Sequence, residues 1–345
     1  MDDVYVMTVL GPIPAAELGI TLMHEHLIVD VTSWWHPPAD AALADAPVSA
    51  AIYGELRMDP FGNRDNCRLD DPQAAAEEVQ IFRDLGGRTV ADVTSRGIGR
   101  NPNALRAIAR ATGLNVIMGT GFYLEAAHPL EVYSMSADTI AQLIESDIVD
   151  GVDGIRAGII GEIGISAAFS AEEQKVLRGA ARAQRATRVP LTIHMPGWER
   201  LGHRVLDLLA EEGIDLHCVI LDHMNPSGID LDYQASLAER GAYLEYDMVG
   251  MDYYYADQQA QSPCDEENAA AVRNLIRFGH LSHLLLSQDV FLKMMLTSNG
   301  GFGYAYVLRH FVPRLRRHGV TEEQVKTMLI ENPRRVFVNA AKEGS

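Results

Sequence analysis

A chain of 345 residues, 47% hydrophobic and 22% charged, has the composition of an ordinary folded protein with a large core, which excludes a mainly disordered one. Its 47 acidic against 29 basic residues give a formal charge of −18, a field that repels nucleic acid and anionic membrane surfaces and disfavours a strongly anionic substrate. Three scattered cysteines, Cys67, Cys218 and Cys264, support neither a disulfide framework nor a thiolate zinc site.

The N-terminus, MDDVYVMTVLG, has two acids in place of a basic segment and no apolar run behind them. No stretch of about 18 apolar residues follows anywhere, so no membrane association is expected and the expected compartment is the cytoplasm. TLMHEHLIVD is the first strand. The stretch from Ser33 to about Arg68, with WWHPP and FGNRDN, is long for a loop and is expected to lie as an insertion over the mouth of the fold. Helical and strand segments then alternate: DDPQAAAEEVQIFRDLG, RTVADVTS, NPNALRAIARATG, LNVIMGTGFY, SADTIAQLIESDIVDG, AGIIGEIGI, SAEEQKVLRGAARAQRATR, VPLTIHM, RLGHRVLDLLAEEG, LHCVILDH, AYLEYDMV, a helix from Asp265, and HLLLSQDV. Ser170 with Glu173 forms a capping box, and Gly86 and Gly213 stand where left-handed helix ends are expected. A closing helix in YAYVLRHFVPRLRRHG and a short helical tail in TEEQVKTMLIEN and PRRVFVNAA end the chain.

Eight apolar strands alternating with helices predict a parallel sheet, and their near-continuous burial favours a closed (β/α)₈ TIM barrel, one domain over 1–345, above an open doubly wound sheet. In such a barrel, the C-terminal strand ends meet at one site. His24 and His26 lie two apart on the first strand and share a face. Glu162 lies on the fourth strand, His194 ends the fifth, His223 the sixth and Asp289 the eighth. Each alone has a plain structural explanation: an HxH pair can be an accident, a strand-end histidine a hydrogen-bonded core residue, an aspartate a helix cap. Together, four imidazoles and two carboxylates at converging positions predict a metal site. The remaining strand and helix histidines, His203, His217, His280, His283, His310 and His318, are expected at the surface or in caps. Trp34 and Trp35 and the run Tyr253 to Tyr255 fall in loops after strands one and seven, with packing and substrate contact both open.

TVLGPIPAAELGITLMHEHL, RAGIIGEIGIS, YLEYDMVG, LLLSQDVFLKMML through GGFGYAYVLRHFVPRL, and NPRRVF together resemble the phosphotriesterase family of the amidohydrolase superfamily, nearly end to end. The resemblance implies two divalent ions, zinc first with manganese, cobalt or iron as alternatives. His24, His26 and Asp289 would hold the more buried ion, and His194 and His223 the more exposed one. Glu162 would bridge them in place of a carboxylated lysine, as in the branch of phosphotriesterase-related proteins. It further implies a shared hydroxide as nucleophile, Asp289 as proton acceptor with His223 assisting, and Tyr123 as a donor to the developing oxyanion. Gln288, where many relatives have histidine, and Phe302, within a GG-His-GY pattern, suggest an altered pocket or lid. The loop after strand seven has no Lys or Arg, so the expected substrate is a small uncharged or aromatic ester, lactone or amide, with phosphotriester cleavage as a side reaction; relatives suggest a homodimer. Two other readings compete: a noncatalytic metal-stabilised binding protein, which an Asp289→Asn comparison would reveal, and a TatD-like phosphodiesterase, which salt-sensitive DNA degradation would reveal.

Overall fold

Capped helices returning each apolar strand to the side of the last one build a parallel sheet that nearly closes on itself. A computed structural model describes residues 4–342; Asp2 and Asp3, on which the reading of the N-terminus rests, lie outside them. The strands are β1 (Ile20–Glu25), β2 (Gly87–Asp92), β3 (Asn115–Thr120), β4 (Ile159–Gly164), β5 (Leu191–His194), β6 (Val219–Leu221), β7 (Tyr243–Tyr246) and β8 (Leu284–Leu286). They form one sheet in chain order, each parallel to the next. The eight strands are the eight apolar runs of the sequence.

No backbone ladder joins β8 to β1 among the described residues. Side chains close that seam. Ser287 Oγ accepts the His24 N–H at 3.3 Å and lies 2.8 Å from the His24 carbonyl, and the Glu25 carboxylate receives the N–H groups of Gln288 and Val290 at 3.0 and 2.9 Å.

The outer helices are α1 (Pro72–Asp84), α2 (Pro102–Thr112), α3 (Ala137–Val149), α4 (Ala171–Thr187), α5 (Gly202–Glu211), α6 (Leu231–Glu239), α7 (Asp265–Arg277) and α8 (Val312–Arg317), the last entered through a π turn at Val307–Phe311. Asp71 caps α1 by accepting the N–H groups of Gln73 and Ala74, with Pro72 supplying the φ a first turn needs. The Ser170–Glu173 capping box forms on α4, and Gly86 and Gly213 are left-handed as expected. Helix α6 is one the sequence pattern does not single out. It is short, and its apolar stripe is broken by Gln234, which is buried because its amide donates to the Met224 carbonyl and Ser227 Oγ and accepts the Tyr246 hydroxyl.

A large apolar core fills the layer between strands and helices. A smaller one fills the barrel itself, with Met23, Ala91, Ile117, Ile159, Ile220, Tyr243 and Leu285 each from a different strand. Val336 and Phe337 of the tail helix Asn332–Lys342, with Val6 and Leu18 of the N-terminal segment, plug its lower end. Asn332 anchors that helix by donating to the Leu281 and Leu284 carbonyls beside the start of β8. The segment after β1 returns through a two-stranded ribbon, Val29–Asp30 with Arg68–Leu69, and its Trp34 and Phe61 reach the opposite, C-terminal mouth. No helix is long and apolar enough to cross a membrane among the described residues.

Candidate metal centre

All six residues singled out at strand ends converge at the mouth. His26 Nε2 lies 3.2 Å from Glu162 Oε1 and 3.4 Å from Asp289 Oδ1; His24 Nε2 lies 3.6 Å from the same Asp289 oxygen and 3.8 Å from Glu162 Oε2. On the other side of Glu162, His194 Nδ1 is 3.0 Å from Oε2 and 2.8 Å from His223 Nε2. One carboxylate thus stands between a trio, His24, His26 and Asp289, and a pair, His194 and His223.

These donors fit divalent cations. Ligand atoms about 2.1 Å from a tetrahedral ion stand about 3.4 Å apart, close to the separations here. His24 Nε2 and Asp289 Oδ1 are buried without a hydrogen-bond partner, a costly arrangement unless an ion satisfies both. His24, His26 and Asp289, and likewise His24, Glu162 and His223, bring donor atoms within 4.8 Å of one another. Burial alone would raise the Glu162 carboxyl, but the His24 charge and hydrogen bonds from the surrounding imidazoles hold it well below the usual carboxylate range.

Behind the imidazoles stands a layer that the sequence reading did not include. Asp222 and Asp247 face His24 Nδ1 at 3.3 and 3.6 Å, Asp247 faces His223 Nδ1 at 3.1 Å, and Thr94 Oγ1 lies 2.8 Å from His26 Nδ1. Acceptors beside Nδ1 favour the tautomer that leaves the Nε2 lone pairs of His24, His26 and His223 aimed at the centre, whereas His194 turns its Nδ1 there. A signal for Asp247 is present in the sequence: it directly follows strand seven, a strand-end position of the kind that picks out His223 and Asp289. Glu25, between the two histidines, points away from the centre into the barrel seam, as residue alternation on a strand requires.

The backbone is shaped to the same end. His223 and Asp289 are left-handed, at φ 56° and 48°, a region that non-glycine residues enter at a cost of about 1–3 kcal/mol and that clusters at functional sites. The His223 N–H is held by both oxygens of Asp247, at 3.1 and 2.9 Å. Before Glu162, Gly161 has φ 122°, and a Cβ there would lie 2.3 Å from the Thr192 carbonyl oxygen, so only glycine fits.

Above the centre opens a cavity of about 370 Å³ reached by His26, Glu162, His194, His223 and Asp289. Its walls are apolar and aromatic. Trp34 stacks on Phe61 at 5.3 Å, Trp198 meets Tyr255 edge-on at 5.6 Å, and Met248, Met251 and Phe291 fill between them; among the described residues no Lys or Arg lines it. Tyr123 lies in the wall with its ring 4.8 Å from that of His194, and its hydroxyl accepts the Trp34 indole N–H at 3.3 Å. Burial, reinforced by the Glu162 charge, pushes the phenol well above its ordinary range, so it keeps its proton. The two aromatic runs divide between roles: Trp34 and Tyr255 face the cavity, whereas Trp35 packs under the Arg64 guanidinium at 3.6 Å and Tyr253 is buried elsewhere.

Neither Gln288 nor Phe302, expected to alter the pocket or lid, lines the cavity. Gln288 is buried in the barrel seam, and Phe302 packs on Tyr306 in a separate surface groove. The other histidines stay out of the centre, with His203 on Ser236, His217 on Asp215 and His318 on Glu266.

The phosphotriesterase family model matches residues 4–337. An N-acetyltaurine hydrolase of Danio rerio is 35% identical over 337 residues, covering 96% of this chain and 97% of the relative. A resiniferatoxin-binding protein from Rhodobacter sphaeroides has a crystal structure that superposes with a TM-score of 0.96 at 54% identity, covering 97% of this chain and 95% of that one. The phosphotriesterase homology protein of Escherichia coli, crystallised with phosphate in its active site, gives a TM-score of 0.78 at 31% identity over 93% of this chain and 99% of its own.

Proposed function

The chain belongs to the phosphotriesterase family, and from that premise we propose that it is a binuclear metal-dependent hydrolase of bulky, uncharged carboxylic esters, lactones or amides. The observation that carries the substrate class is the cavity: about 370 Å³, walled by Trp34, Phe61, Trp198, Tyr255 and Phe291, with no Lys or Arg in its lining among the described residues, and open to Glu162 and Asp289 at its floor. The relatives named N-acetyltaurine hydrolases act on an amide that carries a sulfonate; among the described residues no Lys or Arg stands in this wall to receive one. The bacterial relative named for binding resiniferatoxin adds that compound to the ligands worth testing.

His24, His26 and Asp289 would hold one ion, His194 and His223 the other, with Glu162 between them. When bound, such a pair lowers the pKa of a water molecule and polarises the substrate's acyl or phosphoryl oxygen. The chain's own groups do the rest. The Asp289 carboxylate, whose buried Oδ1 faces His24 and His26 and would be turned to an ion, takes on its other oxygen the proton released at the nucleophile and passes it to the leaving group. Its Oδ2 lies 3.9 Å from His223 Nδ1, which lets that imidazole steady the charge. The protonated Tyr123 hydroxyl turns from Trp34 to the oxygen on which charge develops. Trp34 and Trp198 hold the apolar body of the substrate and exclude water, which strengthens every electrostatic contact at the floor.

Turnover across neutral aryl esters, alkyl esters, lactones, N-acyl amides including N-acetyltaurine, resiniferatoxin and an aryl phosphotriester, each with added zinc or manganese and after chelation, tests this reading. Chelator-sensitive hydrolysis that favours the bulky neutral substrates over N-acetyltaurine is expected. A preference for the sulfonate amide overturns the substrate class, and two bound ions without turnover of any compound favour a binding role.

A further inference from the structure

The glutamate between the two paired histidines makes no contact with the proposed ions or the cavity, yet it is fully buried. Its carboxylate crosses the seam to β8, where it meets three N–H donors and the Ser287 hydroxyl. Oε1 lies 2.7 Å from Ser287 Oγ and receives Gln288 N at 3.0 Å and Gln288 Nε2 at 2.8 Å; Oε2 receives Val290 N at 2.9 Å. Two of these donors are the peptide N–H groups of the residues on either side of Asp289. Asp289 itself is left-handed, a conformation that a non-glycine residue keeps only when its surroundings hold it there.

A second strut completes the arrangement. The Gln288 amide donates onward to the Tyr304 carbonyl at 2.9 Å and accepts the Val307 N–H at 3.0 Å, while the Tyr304 hydroxyl donates to the His26 carbonyl at 2.6 Å. The contacts form a closed ring from His26 through Glu25, Gln288 and Tyr304 back to His26. The ring fixes the spacing between the strand that carries His24 and His26 and the loop that carries Asp289.

We propose that Glu25 is a positioning residue for the hydrolytic reaction, gripping the backbone on both sides of Asp289 so that its carboxylate stays aimed at the metal centre. This rests on the reading of Asp289 as ligand and proton acceptor. Only a carboxylate serves at position 25, because each of its oxygens faces N–H groups and neither may carry a hydrogen. An amide that keeps its oxygen toward Gln288 turns its NH₂ against the Val290 N–H and releases one side of the grip.

The test is Glu25→Gln, with circular dichroism and thermal melting to establish folding, elemental analysis after dialysis against a weak chelator, and kcat and KM measured separately. The expected variant is folded, keeps KM within about twofold, and loses on the order of 10²-fold in kcat, the scale on which a displacement of about 1 Å acts. Its retained metal is expected to fall from two ions per chain to one. A lowered melting temperature with kcat and metal content unchanged makes Glu25 a structural residue only and overturns the assignment. If Glu25→Gln does not fold, Glu25→Asp, which keeps the charge but shortens the reach, takes its place: unchanged kcat refutes the proposal, and a loss of kcat at constant KM upholds it. A wild-type protein that binds no divalent ion overturns the metal reading and this one with it. Two ions in the wild type and an indistinguishable variant overturn the role of Glu25 alone.

Discussion

Asp147 on α3 offers a prediction that depends on neither metal nor substrate. Its carboxylate, 3% exposed, accepts Arg96 Nη2 at 2.6 Å and Nε at 3.3 Å, Arg100 Nη1 at 2.8 Å and Thr120 Oγ1 at 2.5 Å. Arg100 also donates to the Gly119 carbonyl, and the Arg96 N–H to that of Gly121, so the cluster pins the end of β3 just ahead of Tyr123. Asp147→Asn keeps the shape but leaves the Arg100 guanidinium, whose side chain is 6% exposed, buried without a counter-charge. Breaking such a pair costs about 3–5 kcal/mol; the remaining amide oxygen and the partial exposure of Arg96 favour the lower figure. For a chain of this size about 3 kcal/mol lowers the melting temperature by about 4 °C. Burial works against ionisation of Asp147, but the Arg96 hydrogen bond and the Arg100 charge outweigh it and hold its carboxyl below the usual value. A depressed folded pKa means the stabilisation is complete above the unfolded carboxyl pKa of about 3.9 and drains away as pH falls through the lower folded value. In equilibrium urea unfolding, the gap between the two proteins should therefore be full above about pH 5 and close as pH drops from about 4 towards 2. The comparison cancels losses common to both, including histidine protonation. A gap under about 1 kcal/mol at pH 7, or one equally wide at pH 3, refutes the reasoning.

Asp289→Asn should lower kcat by about 10²–10⁴-fold, while isothermal titration with the best neutral ester still detects binding; a rate within tenfold of wild type removes Asp289 from proton transfer. Tyr123→Phe deletes one hydroxyl donor, and kcat should drop by roughly 10²-fold or more with KM nearly constant; a change confined to KM would assign the tyrosine to packing against Trp34 and His194 instead. Asp247→Asn weakens the acceptor behind His24 and His223, so metal affinity measured by competition with a fluorescent chelator should decline about 10- to 100-fold, and unchanged affinity would deny Asp247 that role.

The barrel was legible because its strands are buried on both faces: runs such as VPLTI and LHCVIL have no polar alternation to confuse them, and Ser170 and Asp71 mark helix starts by their own hydrogen bonds. The converging set was legible for a related reason, since a histidine or carboxylate closing an apolar strand is out of place until its neighbours are counted. The layer behind it was not. Asp222 and Glu25 sit beside named residues and read as their polar neighbours; their roles depend on which element faces them across the barrel, and chain order does not carry that. Helix α6 escaped for an equally local reason, because the buried Gln234 is satisfied by Met224, Ser227 and Tyr246, partners that a helical period does not reveal. The departures at Gln288 and Phe302 from the pattern of relatives point to a pocket or lid without saying where either side chain lies; the end of β8 turns one into the seam, and the following loop carries the other to a surface groove.

The tail helix Asn332–Lys342 closes the barrel at the end opposite the cavity, with Asn339 donating to the His217 carbonyl just ahead of β6. Attachment chemistry placed beyond Lys342 therefore leaves the mouth facing away from a support. Immobilised through that end, the protein presents Trp34 and Trp198 to the bulk liquid, and substrate reaches them without crossing the carrier. Shortening the chain into Val336 and Phe337 has the opposite consequence, because it withdraws the stopper from the inner core and admits solvent beneath the strands.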